Sequence, residues 1–288
     1  MLARMNAKVK SLPTQVSNLV KIRSNNIHRF RSKVLLQFEV GSFVLKTITE
    51  KHELIDALRL RYEVFHEEFI GVNAPSPFAI DVDEFDSVCD HLAIIDKKKN
   101  IIVGTYRMNS TAFNDHFYSA TEFRLDRILD KPGVKVELGR ACIRKEYRKG
   151  VVIALLWKGI AEYMKAVGAQ FFFGCGSVKT ESPRVSALLY TYFREKGHIS
   201  DIHWCPPTRA YKMPAIDAWI HEFKRPLTAE ETTEAEAAIP SLFKGYLKAG
   251  AVICGEPAYD VEFKCIDFLT LLDRSGLNET HSRKFGLE

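Results

Sequence analysis

The residues best placed to do chemistry lie in the run Val136 to Ile143, which carries Glu137 and Arg140 in otherwise apolar, strand-like sequence. A basic turn, Arg144 to Gly150, follows at once, and a long apolar helix begins at Val151. The first amide groups of a helix have no partner within it and attract anions, so Arg148, Lys149, Gly150, Val151 and Val152 together form a place to hold a phosphate. A strand carboxylate acting through water can take the proton that an amine must lose as it attacks a thioester. The combination points to acyl transfer from a phosphopantetheine thioester to an amine. Two plainer readings stay open: an ordinary strand, turn and helix with a solvated basic turn, and a Glu137 that only pairs with Arg107 or Arg140. Glu137 and Arg140 are three apart, so on a regular strand they point to opposite faces unless a bulge or twist intervenes.

Asp83 and Asp86 flank Phe85 and offer two carboxylates to an ammonium or guanidinium group. They serve equally well as a helix cap, with Arg59, Arg61 and Arg107 as structural partners. The nine histidines show neither metal-ligand spacing nor a Ser, His, Asp order, which disfavours metal-dependent and covalent catalysis. Six cysteines, with no close pair, read as reduced, packed thiols of a cytoplasmic protein.

Periodicity supplies the elements that must position these groups. Ser42 to Thr49 reads as a strand and His52 to Phe69 as a helix carrying Leu54, Leu58, Val64 and Phe65 at helical spacing. Gly71 to Pro77 is loop, leading into the acidic run Asp81, Asp83, Glu84, Asp86. His91 to Ile95 and Ile101 to Met108 form a hairpin, and a short helix lies near Thr121 to Leu129. Val134 to Ile143 is strand, Val151 to Val167 helix with Gly168 as its stop, and Gln170 to Phe173 a buried strand ending at Gly174. Pro183 to Lys196 and the segment starting at Thr228 are helical, and Ala251 to Cys254 and Cys265 to Leu272 are added strands.

A chain of 288 residues with 46% hydrophobic and 27% charged residues is an ordinary globular protein, and no apolar run approaches the roughly 20 residues that span a bilayer. The net charge of +5 is unevenly spread: residues 1–38 hold Arg4, Lys8, Lys10, Lys21, Arg23, Arg29, Arg31 and Lys33 and no acid. With Leu and Ile interleaved, this arm fits either an anionic membrane surface or a solvated tail. No nucleic-acid partner is expected.

Several short signatures stand in order: Arg61 to Phe65, Asp83 to Asp86, Val103 to Arg107 and Glu137 to Arg140. This series resembles the acyl-homoserine-lactone autoinducer synthases of the GNAT superfamily. Tyr118 to Phe123, Leu156 to Ala161 and Lys244 to Phe268 are similar to the bacterial ornithine lipid synthases, which acylate the α-amine of L-ornithine. The resemblance spans roughly residues 43 to 273. It implies an α/β fold of GNAT type, with a mixed, splayed central sheet flanked by helices. The implied organisation is a basic arm (1–38), an acyltransferase core (39–205) and a C-terminal extension packed on it (206–288). It further implies a 3-hydroxyacyl donor on the phosphopantetheine of acyl carrier protein or coenzyme A, no tightly bound cofactor, and an amino-acid acceptor. Arg61, Phe65, Asp83, Asp86, Arg107, Glu137 and Arg140 are then expected to line or support the acyl and amine sites, with Glu137 and Arg140 catalytic. The turn Tyr147 to Val152 keeps only the central glycine of the usual GNAT phosphate pattern, which argues against tight coenzyme A binding and is compatible with a carrier-protein donor; the basic arm and a lipid product place the protein in the cytoplasm, at the inner face of the cytoplasmic membrane. An autoinducer synthase using S-adenosylmethionine, and a non-enzymatic membrane or carrier-protein binding module, are the competing readings.

Overall fold

The computed structural model describes residues 27–71, 79–148 and 150–276. Its strands are β1 (Gln37–Val40), β2 (Phe43–Thr47), β3 (Asp90–Asp96), β4 (Ile101–Ser110), β5 (Val134–Ile143), β6 (Ala169–Val178), β7 (Val252–Ile253), β8 (Ala258–Asp260) and β9 (Cys265–Asp273). They form one sheet in the order β1-β2-β3-β4-β5-β6-β9-β7, with β8 also on β9. Every neighbouring pair is antiparallel except β5 and β6.

Helix α1 (Lys51–Tyr62) starts at a capping box between Glu50 and Glu53 and buries Leu54, Ala57 and Leu58, the i, i+3, i+4 face that its sequence marks as apolar. It continues as a π-helical segment, Glu63–Ile70, so the helix read from His52 to Phe69 changes winding at Glu63. Helix α2 (Val151–Val167) packs its buried stripe, including Val152, Leu156 and Ile160, against β3 and β4, and ends at Gly168. Helix α3 (Pro183–Glu195) is capped by Ser182, whose hydroxyl accepts from the Val185 amide.

The parallel pair creates the functional geometry. β5 and β6 are paired from Val134 with Ala169 up to Glu137 with Phe173, and the ladder stops there although both strands run on. Leu138 and Gly174 mark the parting point: a Cβ on Gly174 would lie 2.1 Å from the Leu138 carbonyl oxygen, so only glycine lets the strands touch before they separate. Beyond it the two strand edges face each other across a wedge.

Two expected boundaries move. Residues 27–38 are not part of a free arm: Phe30 and Val34 are buried, the Lys33 amide donates to Asp90, and β1 begins at Gln37. The segment from 206 does more than pack on a core, because β9 lies inside the sheet between β6 and β7 and is buried along nearly its whole length. The strand read as Gln170 to Phe173 runs to Val178, its glycines hiding the continuation. The helix near Thr121 to Leu129 is two single turns, Ser119–Glu122 and Asp126–Leu129. Among the described residues, no helix is long and apolar enough to cross a membrane. All six cysteines are free.

Candidate active site

The wedge opens into a cavity of about 550 Å³. Residues 138–143 of β5 and 175–177 of β6 line it, so it is walled by backbone edges without a strand partner. Buried backbone amides need partners, and an extended ligand carrying its own amides can supply them. Trp157, Ile160, Phe243 and Tyr246 give the cavity an apolar side suited to an acyl chain.

Where β5 passes β4, Arg107 opposes Gly139 and Thr105 opposes Cys142, so Arg140 and Ala141 together face Tyr106 alone. This is a bulge, and Arg140 takes its left-handed conformation (φ 51°). The extra residue breaks the alternation that would send Glu137 and Arg140 to opposite faces, and both line the cavity. The Arg140 guanidinium lies 4.7 Å from the Tyr118 ring centre and 4.8 Å from that of Phe263. One terminal nitrogen reaches Asp83 at 3.1 Å, while its Nε, without a hydrogen bond among the described residues, lies 4.0 Å from Asp81. It is therefore a cation at the cavity wall, held from behind by two aspartates.

Glu137 is 4% exposed. Its two oxygens accept from the backbone amides of Ser119 (2.6 Å) and Tyr118 (3.1 Å), not from an arginine. Burial raises its pKa, and the amide bonds work against that rise. The carboxylate thus fixes the turn that carries Tyr118 beneath Arg140 while presenting itself to the cavity.

The acidic loop is different from the expectation. Asp83 and Asp86 are not free to grip a cationic amino acid, because arginines hold them. Arg107 binds both oxygens of Asp83 at 2.6 and 2.7 Å and reaches Asp86 at 3.0 Å. Arg61 binds Asp86 at 2.5 Å and Asp81 at 2.7 Å. Asp86 also accepts the Asp83 amide in a capping box. Despite burial, the neighbouring guanidinium groups hold Asp81 and Asp83 well below the usual carboxylate range, Arg61 and Arg140 acting on the first and Arg107 and Arg140 on the second. Three aspartates and three arginines make a neutral, closed network behind the wall. Arg61 is wholly buried there and supports the site without lining it, whereas Arg107 lines it in part. Arg59, also read as a partner, pairs with Asp56 at the surface.

Phe65 lines the cavity edge-on to Phe263. At the mouth, Arg148 pairs with Glu68 at 2.8 Å and Arg144 with Glu63 at 2.7 Å, so the basic turn is partly neutralised. Gly150 has φ 140°, a conformation suited to glycine, and caps α2 without a side-chain bond to its amides. Val151 is exposed, while the Val152 side chain packs in the core, leaving only its backbone toward a donor. Lys149 lies outside the described residues.

Sequence reading gave no role to three carboxyl groups on the far side of the cavity. Asp260 and Asp267 line it, and Glu122 lies behind them, fully buried. The sign of Asp267 was in plain view: a carboxylate inside the apolar run Cys265 to Leu272 is costly unless it has a task.

A splayed sheet with a bulged strand, opening beside a helix N-terminus, defines an acyltransferase of the GNAT class, and residues 60–158 match the acetyltransferase (GNAT) domain. The chain is 31% identical over 248 residues to the L-ornithine N(alpha)-acyltransferase of Rhizobium meliloti, covering 82% of this chain and 81% of that one. It is 31% identical over 263 residues to the enzyme of the same name from Agrobacterium fabrum, covering 86% and 87%. It belongs to the L-ornithine N(alpha)-acyltransferase family. Among solved structures, a coenzyme-A-dependent acyl-homoserine lactone synthase aligns over 82% of this chain and 83% of its own, with 15% identity and a TM-score of 0.45.

Proposed function

We propose that the protein transfers a 3-hydroxyacyl chain from acyl carrier protein to the α-amine of L-ornithine, giving a lyso-ornithine lipid. The observation that carries this reading is the wedge between β5 and β6, where unpaired strand edges meet the Arg140 bulge at one end of an apolar-sided cavity. The pantetheine arm lies along the free edge of β5 and pairs its amides with that strand. Arg140, which lines the cavity, binds the acceptor's carboxylate. The amine nitrogen attacks the thioester carbonyl carbon, the C–N bond forms, the C–S bond breaks, and the thiol leaves with a proton. Glu137, through water, receives the proton lost by the amine and returns it to the departing thiolate. The carrier protein is acidic and docks on the rim of Arg144, Lys145 and Arg148. The basic segment before residue 27 holds the enzyme to the anionic inner face of the cytoplasmic membrane, where its lipid product belongs.

Purified full-length protein with 3-hydroxyacyl carrier protein and ornithine should yield N-acyl-ornithine by mass spectrometry, at a higher kcat/KM than with the matching acyl-coenzyme A. No acylated ornithine, or a homoserine lactone formed from S-adenosylmethionine, would overturn the reading.

A further inference from the structure

The two charged clusters around the cavity differ in one respect. On the Arg140 side every aspartate is matched by a guanidinium. On the other side Glu122, Asp260 and Asp267 are 0%, 5% and 3% exposed, and none forms an ion pair with a described residue. Their hydrogen bonds come from neutral groups. Asp267 accepts from Ser177 Oγ at 2.5 Å, and Asp260 from the Phe263 amide at 3.0 Å and from the Tyr118 hydroxyl at 3.4 Å. The Cys175 thiol lies 3.6 Å from one oxygen of Glu122, and the other oxygen, Oε1, is buried with no hydrogen-bond partner among the described residues. Ligand atoms of Glu122, Cys175 and Asp267 fall within 4.8 Å of one another, as do those of Asp260, Cys265 and Asp267. A buried carboxyl group lacking a partner is costly, and three together call for a cation.

Tyr118 joins the two sides. Arg140 sits over its ring and its hydroxyl reaches Asp260, so a guanidinium and a carboxylate are separated by about one tyrosine side chain. That spacing and polarity match a diamino acid, whose carboxylate and distal ammonium lie at opposite ends of a short carbon chain.

We propose that Glu122, Asp260 and Asp267 form the subsite for the acceptor's side-chain ammonium, which selects an amino acid carrying a distal primary amine over one without it. An ammonium offers three hydrogens, with Asp260 and Asp267 at the cavity wall to accept them, and its charge offsets the buried Glu122 behind them. This deepens the reading of the reaction above and rests on it for the identity of the acceptor.

The test compares L-ornithine with L-norvaline, the same amino acid without the distal amine, in the full chain at saturating donor. The wild-type enzyme should discriminate against norvaline by about 10⁴-fold in kcat/KM, the scale for a site built around a hydrogen-bonding group that the analogue lacks. Asp267→Asn and Asp260→Asn should raise the KM for ornithine about 10- to 150-fold, leave the KM of the donor unchanged and narrow the gap to norvaline. Norvaline turnover within tenfold of ornithine turnover overturns the subsite, and needs no variant. So does about one equivalent of divalent metal per chain whose removal abolishes activity and whose return restores it, because the cation would then be inorganic. Calorimetric titration without donor separates this inference from the reaction itself. An inactive protein that still binds ornithine over norvaline refutes the reaction and supports the subsite, whereas equal binding refutes the subsite.

Discussion

Replacing Asp86 by alanine should damage the fold and not the recognition of the amine. Asp86 is 1% exposed and serves Arg61 at 2.5 Å, Arg107 at 3.0 Å and the Asp83 amide at 2.8 Å. Its loss leaves two buried guanidinium groups short of a counter-charge, and Arg61 already has one terminal nitrogen without a hydrogen-bond partner among the described residues. Breaking a buried ion pair from one side costs about 3–5 kcal/mol, because the remaining charge stays desolvated. Domains are stable by only about 5–15 kcal/mol, so about a fifth or more of the total is at stake. With a urea m-value of roughly 3 kcal/mol/M, the midpoint of unfolding should fall by about 1–2 M at unchanged slope. Circular dichroism in urea reads the midpoint, and steady-state kinetics on the folded fraction reads the two KM values. A midpoint within about 0.3 M of wild type, with a selective rise in the KM for ornithine, would refute the closed network and restore Asp86 as a substrate ligand.

Other expected outcomes follow from the same geometry. Glu137→Gln should lower kcat by about 10² or more and remove the acidic limb of the kcat profile, read from initial rates against pH; a lower kcat with that limb intact makes Glu137 a positioning residue for the 118–119 turn. Burial and the nearby charge of Asp260 push Asp267 up to about 6, so the KM for ornithine should fall as pH rises through that value, and the titration should vanish in Asp267→Asn. The stability linkage has the opposite sense: a raised folded pKa favours the fold below the ordinary carboxylate value and withdraws that support as pH rises through about 6, whereas Asp81 and Asp83, held low, support it above the ordinary value and lose it only in strong acid. Gly174→Ala sets a methyl group against the Leu138 carbonyl and should cost about 1–3 kcal/mol, measured by thermal melting. Deleting residues 1–26 should release the protein from anionic liposomes in sedimentation assays without loss of turnover on soluble short-chain donors, whereas deletion through residue 35 also removes buried Phe30 and should cost about 3 kcal/mol or more of stability.

The elements with strong local signals were legible in the sequence. α2 carries a long apolar stripe ended by Gly168, and the β3–β4 hairpin is two short, mostly apolar runs around a polar turn, so local pattern alone finds them. The wedge was not visible in that way, since nothing in the composition of Gly174 to Val178 says that β6 continues after losing β5 as a partner. The Arg140 bulge is a single inserted residue, and only the cross-strand register reveals it. The roles of the carboxylates depend on contacts distant in sequence. Asp83 and Asp86 stood among acids and looked available, but Arg61 and Arg107 come from α1 and β4 to occupy them. Asp260 and Asp267 are separated from Glu122 by more than a hundred residues, and they meet only because the C-terminal segment returns to place β9 beside β6. The basic arm was read correctly in charge and too long in extent, because the cations at positions 29 to 33 hide the buried Phe30 and Val34 between and beside them.

The contrast between the two charged walls also bears on how one cavity can serve two unlike substrates. A thioester with a long acyl chain needs an uncharged channel, and an amino acid with two cations and one anion needs the reverse. The Asp81, Asp83 and Asp86 network neutralises itself, so it adds rigidity to Arg140 without adding field to the channel. The uncompensated carboxyl groups are gathered at Glu122, Asp260 and Asp267, across Tyr118 from Arg140. Burial, with their mutual repulsion added to it, favours keeping a proton in the free enzyme, which is the physical meaning of the raised affinity of Glu122 and Asp267 for one. Binding a distal ammonium replaces that proton with a better-placed cation and draws the carboxyl groups toward full ionisation. Acceptor binding should therefore release protons when measured below about pH 6, and the heat of ornithine binding should depend on the ionisation enthalpy of the buffer. A buffer-independent heat at pH 5.5 in the wild-type protein would show that no such exchange takes place.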